Sequence, residues 1–236
     1  MSAEAQLRAS LLSINGNALV AEFCSNGESV KAVADCCERI ALWSNTIRLA
    51  EPENGALAFI AEMQRASHDV AALLAFSFYV PAAASMRSAA ETALFYSYFR
   101  NHPAELITLA TTSDYFLSKA DVLDHHKQHT DAYRRFATKV GFPGPFNSWY
   151  GKVSGIVHGQ IPGAWGSRLA LSDTKHDNQI LARAVATFAE GVGVIETLLF
   201  LTVGIELWGS FQRESKRGLL KGMTAERRQL FGLDGK

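Results

Sequence analysis

The segment Glu28–Leu49, ESVKAVADCCERIALWSNTIRL, decides the fold class of this chain. Small or apolar side chains recur in it about every 3.6 residues, the period of an α-helix with one buried face. These positions are Val30, Val33, Ala34, Cys37, Ile40, Ala41 and Ile47. Ser25, Asn26 and Gly27 precede the segment and offer turn and capping groups. The spacing therefore predicts an amphipathic helix.

Nearly every other long segment also indicates a helix. We predict further helices over about residues 56–79, 81–100, 104–110, 113–140, 148–158, 177–211 and 224–231. Proline- and glycine-containing breaks lie at 51–55 and 141–145, and a loop is predicted over 159–173. No segment alternates apolar and polar residues as a strand does. We predict an all-α fold, a single antiparallel helical bundle.

The length fits one domain over residues 1–236. Within it we expect N-terminal helices over 1–50, the bundle core over 55–210 and a basic C-terminal tail over 214–236. The basic tail could meet phosphates, although a solvated tail is the simpler interpretation.

Composition excludes several classes of protein. Hydrophobic residues make up 48% of the chain and charged residues 19%, as in a globular protein. Basic and acidic residues number 23 each, which argues against a surface built entirely for nucleic acid or anionic lipid. The three cysteines form no CxxC pair, so we expect a reducing, cytoplasmic location.

Two apolar stretches raise the question of a membrane. Residues 70–86 carry no charge but are interrupted by Pro81, and residues 191–208 contain Glu196 and Glu206. We therefore predict buried helices and no membrane association. The two glutamates would need partners, and Arg87 and His158 are the obvious candidates.

The strongest functional signal is Tyr150–Gly159, YGKVSGIVHG. His158 is the side chain best suited to proton transfer near neutral pH. Ser154 lies four residues before it on the same helix face, whereas Lys152 lies six residues before it and turns away on an ideal helix. Trp149 and Tyr150 could form an aromatic wall over His158. The alternative is a structural histidine that bonds a neighbouring helix.

A second signal is Arg87 and Glu91, four residues apart in an alanine-rich helix. A charge in such a helix must be paired. The pair is either a salt bridge that fixes packing or the lining of a pocket that holds an anionic group.

A third pattern places Asp121, His125 and His129 along one helix face. Two histidines at i and i+4 with a carboxylate can bind a metal, but the HExxH arrangement is absent and the helix is very polar. A solvated face is the better interpretation, so we predict no metal and no cofactor.

Two of these segments resemble a known family. Arg87-Ser88-Ala89-Ala90-Glu91 and Ser154-Gly155-Ile156-Val157-His158-Gly159 are similar to the R-S-x-x-E and S-x-x-x-H-G segments of a group of bacterial helical proteins related to the HEPN superfamily. The resemblance spans about residues 55–210.

The resemblance implies a dimeric HEPN-like bundle that cuts RNA without a metal, as a toxin or phage-defence factor. The family pattern is an arginine, four to six residues and a histidine at the dimer interface. His158 matches the histidine, and Lys152 stands where the arginine is expected, which removes the planar guanidinium. Catalytic residues would then be His158, Lys152 and Ser154, with Arg87, Glu91, Tyr150 and Trp149 in binding. The partners would be a second copy of the chain, RNA and a protein partner. The alternative is a non-catalytic module that dimerises and binds a partner as a sensor, antitoxin or accessory defence subunit.

Overall fold

The computed structural model describes residues 1–166 and 170–233, and this part of the chain contains helices but no strand. The helices are α1 (Ala3–Leu12), α2 (Gly16–Ser25), α3 (Gly27–Ala50), α4 (Leu57–Ala75), α5 (Tyr79–Phe99), α6 (Pro103–Thr111), α7 (Lys119–His129), α8 (Asp131–Phe136), α9 (Gly144–Val157), α10 (Asn178–Leu199), α11 (Arg213–Leu220) and α12 (Ala225–Leu230). The all-α prediction is confirmed. Residues 167–169 of the predicted loop and 234–236 of the predicted tail lie outside the described residues.

Helix α5 lies at the centre of the bundle and packs against α4, α7, α9 and α10. It can be covered on several sides because alanines make up much of its surface. Ala82, Ala83, Ala89, Ala90 and Ala93 are all buried. Small side chains allow neighbouring helices to approach closely, so α5 positions the helices around it.

Helix α10 continues past Leu199 through a π turn at Phe200–Gly204 and ends at Ser210. Two glycines in this helix make room for large aromatic rings. A Cβ atom on Gly191 would lie 2.5 Å from the Trp149 ring, and one on Gly204 would lie 2.8 Å from the Trp43 ring. The helix can therefore lie directly against two buried tryptophans.

The two apolar stretches behave differently in the structure. The first is divided at Phe76–Phe78, where Ser77 has a φ of 58° between α4 and α5. Among the described residues, Asn178–Ser210 is the one helix long and apolar enough to cross a bilayer, and 67% of its most apolar window is buried inside the protein. That burial is the pattern of a core helix in a bundle.

Arg100 joins three parts of the bundle. Its side chain is 2% exposed and forms ion pairs with Glu51, at 2.6 Å, and with Glu206, at 3.0 Å. Tyr96 also donates its hydroxyl to Glu51. Burial would raise the pKa of Glu51, but the hydrogen bonds from Arg100 and Tyr96 lower it below its ordinary value. The loop after α3, the end of α5 and the end of α10 are thus held together by one guanidinium.

Glu196 and Glu206 each have a cationic partner, as predicted. The partners are not the predicted Arg87 and His158. Glu206 pairs with Arg100 and Glu196 pairs with Arg39. Arg87 and His158 contact neither glutamate and instead contact each other.

Two predicted segments differ from the structure. The single helix expected over 113–140 is divided, because Ser118 and Asp121 form a reciprocal cap at the start of α7 and Thr130 separates α7 from α8. The C-terminal residues are also not a solvated tail, since two helices pack back on the bundle. Their side chains Leu219, Phe231 and Leu233 are buried.

Replacing Arg100 with methionine should destabilise the protein by about 3–5 kcal/mol, because it leaves the partly buried Glu51 without its cationic partner. Urea unfolding of Arg100→Met against the wild type measures this loss. Arg65→Met is the matched control, since Arg65 forms its two ion pairs on the exposed face of α4. An equal loss in both variants would contradict the assigned role of Arg100.

His126 should make stability depend on pH. It is 2% exposed, with ring nitrogens 2.8 Å from the Ser97 hydroxyl and 2.7 Å from the Thr130 hydroxyl. Burial, helped by the nearby charges of His125, His102 and Arg100, lowers its pKa to about 3. The unfolded chain therefore binds one more proton than the folded protein between about pH 6.5 and 3, and stability falls as the pH falls through this window.

The expected slope is roughly 1.4 kcal/mol per pH unit below about pH 6. Chemical denaturation at several pH values measures it, and His126→Gln should flatten the curve. His68→Gln, on the exposed side of α4, should leave it unchanged. An identical slope in His126→Gln would show that other groups cause the acid sensitivity.

Candidate functional site

The two segments singled out in the sequence meet in the structure. Arg87 on α5 donates its Nε to Glu91 Oε1 at 2.9 Å, one turn along the same helix. Its Nη1 lies 2.8 Å from Nε2 of His158, which stands immediately after the end of α9. Because α5 and α9 pack side by side, residues 71 positions apart in sequence form one polar cluster.

The contact with Arg87 determines which form of His158 is present. A guanidinium has only N–H donors and no acceptor. His158 Nε2 must therefore accept, so its proton lies on Nδ1. The hydrogen bond from Arg87 therefore goes with the Nδ1–H tautomer and orients the ring.

Glu91 connects this pair to an aromatic side chain. Tyr150, on α9, donates its hydroxyl to Glu91 Oε1, the same oxygen that binds Arg87. The Arg87 guanidinium also lies 5.1 Å from the centre of the Tyr150 ring. Burial and the bond to Glu91 raise the pKa of Tyr150, while Glu91 raises the pKa of Arg87 against the opposing effect of burial. Arg87, Glu91, Tyr150 and His158 are hereafter the Arg87 cluster.

Lys119 adds a second cation that the sequence did not indicate. Its Nζ lies 4.7 Å from the Tyr150 ring centre and 2.7 Å from Asn147 Oδ1. Burial lowers the pKa of Lys119. The lysine begins α7, far from Tyr150 in sequence, and its spacing carries no signal of this contact. The site therefore combines side chains from α5, α7 and α9.

The Arg87 cluster is partly buried at Arg87 and Glu91 and exposed at His158. The side chains of Arg87 and Glu91 are 25% and 33% exposed, and His158 is exposed. Gly159 follows with a φ of 67°, which ends the helix and turns the chain away from the histidine. Solvent therefore has access to the imidazole and to part of the guanidinium.

No side-chain hydrogen bond or ion pair joins Lys152, Ser154 or Trp149 to this cluster, although the Ser154 carbonyl accepts the backbone N–H of His158 at 2.9 Å. Lys152 points to α10, where its Nζ is 3.4 Å from Glu190. The Ser154 hydroxyl is buried and has no hydrogen-bond partner among the described atoms. Trp149 is a core residue, 1% exposed, and donates its indole N–H to the Thr187 carbonyl at 2.8 Å. Within one chain, the Lys152 charge therefore pairs with Glu190, and Trp149 belongs to the core.

The predicted metal-binding face is not arranged as a ligand set. Asp121 Oδ2 accepts hydrogen bonds from the backbone and hydroxyl of Ser118, as part of the helix cap. The His125 and His129 rings lie 4.9 Å apart, and His125 also packs against His102. Across residues 1–166 and 170–233, no group of three or more His, Cys, Asp or Glu side chains has a metal-binding arrangement.

Comparison with protein-family models, curated proteins and solved structures gives no match to this chain.

Nitrogen NMR of His158 tests the assigned geometry. At about pH 8 we expect its ring to be in the Nδ1–H form, because Arg87 occupies Nε2. In Arg87→Leu the Nε2–H form should gain population. Lys152→Ala is the control and should leave the ring unchanged, since that lysine bonds Glu190. An unchanged ring in Arg87→Leu would refute the contact.

Proposed function

We propose that this protein is a HEPN-like endoribonuclease that cleaves RNA without a metal ion. One observation carries the proposal: an exposed histidine at a helix end is contacted at 2.8 Å by a half-buried arginine. The imidazole supplies proton transfer and the guanidinium supplies charge for a phosphate, which are the two requirements of this chemistry.

The reaction follows from the two groups. The ribose 2′-hydroxyl attacks the adjacent phosphorus, a 2′-O–P bond forms and the P–O5′ bond breaks. The products are a 2′,3′-cyclic phosphate and a 5′-hydroxyl. Nε2 of His158 accepts the 2′-hydroxyl proton once a phosphate oxygen draws Arg87 Nη1 away from the ring, and the resulting imidazolium donates a proton to the leaving oxygen.

In this mechanism Arg87 takes the role of the arginine that the family pattern places four to six residues before the histidine. Lys152 stands at that sequence position but bonds Glu190 within its own chain. Lys152 is exposed, so at a dimer interface its positive charge could lie beside His158 of the second copy of the chain. We propose in addition that the protein is a cytoplasmic homodimer and that it acts in a toxin–antitoxin system or in phage defence.

The alternative is a non-catalytic dimerisation and binding module. It is favoured by Glu91, which accepts hydrogen bonds from both Arg87 and Tyr150 and balances the arginine charge. In that case the Arg87 cluster fixes the packing of α5 on α9 and presents His158 to a protein or ligand.

Incubation of the purified protein with a mixed RNA pool in EDTA tests the nuclease. We expect 2′,3′-cyclic phosphate ends from the wild type and a loss of about 100-fold or more in His158→Ala. Arg87→Lys should also lose activity, because lysine keeps the charge without the planar fork. Lys31→Ala is the control, since Lys31 pairs with Asp35 on the exposed face of α3.

Equal cleavage by His158→Ala and the wild type would refute the assigned role. If the wild type cuts no RNA but binds labelled RNA or a partner protein through His158, the binding module replaces the nuclease. Lys152→Ala tests whether this charge is used at all: unchanged activity would remove Lys152 from the site of either subunit.

A further inference from the structure

The C-terminal segment covers a pocket that shares no residue with the Arg87 cluster. The pocket lies between α3, α10 and the residues from Leu219 to Arg227, and has a volume of about 440 Å³. Sites for small molecules usually have volumes of about 300–1,000 Å³. It is formed because α11 and α12 fold back on the bundle.

The acidic groups of this pocket already have cationic partners. Glu196 accepts Arg39 Nε at 2.8 Å and the Trp43 indole N–H at 3.2 Å. Asp35 accepts Lys31 Nζ at 3.1 Å. These carboxylates are therefore neutralised by groups on α3.

The basic groups of the pocket are in excess. In the described part of the chain, neither Lys221 nor Arg227 has a carboxylate within ion-pair distance, although both line the pocket. Lys221 and Arg227 thus add two positive charges to a lining whose carboxylates already pair with Lys31 and Arg39, so the pocket favours an anion.

Arg227 has donors to spare. Its Nη2 donates to the Thr197 hydroxyl at 2.7 Å, while its buried Nε has no hydrogen-bond partner among the described atoms. Burial lowers the pKa of its guanidinium, an effect that Glu196 partly offsets. Because Nε is out of reach of solvent, an anion in the pocket would have to bind the Nη nitrogens of the guanidinium.

The remaining wall of the pocket is apolar. Val192 and Phe200 on α10 and Met223 after α11 line it. We propose that this pocket binds a small organic anion, with a sulfonate, carboxylate or phosphate group on Arg227 and Lys221 and an apolar body against Val192, Phe200 and Met223.

Two fluorescent probes test the anionic group and the apolar body of the proposed ligand separately. Anilinonaphthalene sulfonate has both an anionic group and an aromatic body, and N-phenyl-naphthylamine has the same body without the charge. We expect the wild type to bind the sulfonate at least tenfold more tightly than the neutral probe, since charge-assisted hydrogen bonds contribute about that much.

Two variants test the site from different sides. Arg227→Met removes the donors and should weaken the sulfonate by about tenfold or more, with little effect on the neutral probe. Gly193→Leu should abolish binding of both probes, because it places a side chain in the pocket. A Cβ on Gly193 meets nothing within 4 Å, so the helix tolerates the change. Arg213→Met, an exposed arginine of α11, is the matched control.

Thermal unfolding verifies that each variant is folded before binding is measured. The proposal is overturned if folded Arg227→Met binds the sulfonate as tightly as the wild type. It is equally overturned if Gly193→Leu keeps that affinity, because the probe would then occupy another surface. Failure here leaves the nuclease proposal untouched, since none of these residues belongs to the Arg87 cluster.

Discussion

The structure depends on one constraint: α5 is enclosed by other helices, so each charge on it must find a partner inside the protein. Arg87, in the first half of the helix, binds Glu91 and His158. Arg100, just after its end, binds Glu51 and Glu206. Both arginines pair their guanidinium with a glutamate, but the two pairs have different roles. The deeply buried Arg100 holds helix ends together, and the partly exposed Arg87 orients an imidazole at the surface.

Local patterns were sufficient for the fold class and for most helices. The segment that became α3 has an apolar stripe and a capping asparagine, and both signals lie within a few residues. The division between α7 and α8 was missed because a polar helix has no apolar stripe to mark its interruption. The packing of α11 was missed because Leu219 is a single buried residue among charges.

The candidate site was predictable in its parts and not in its assembly. Arg87 and His158 could be identified from the sequence, because a charge in an apolar helix needs a partner and a histidine can transfer a proton near neutral pH. Their contact depends on the packing of α5 against α9, which no local pattern encodes. The contact of Lys119 with Tyr150 could not be predicted for the same reason. Trp149 and Tyr150 have the same local signal in the sequence, but adjacent positions of a helix face different neighbours.

The π turn at Phe200–Gly204 makes this helix tolerant of one change in its length. A π turn holds one residue more than the α-helical turn it replaces, so the helix on either side keeps its orientation. Loss of one residue within this turn would restore a regular helix and leave Glu196 beside Arg39 and Glu206 beside Arg100. In a helix without such a turn, the same loss would rotate everything after it by about 100°. A single-codon deletion within Phe200–Gly204 would therefore shorten the helix and keep both ends of the bundle connected.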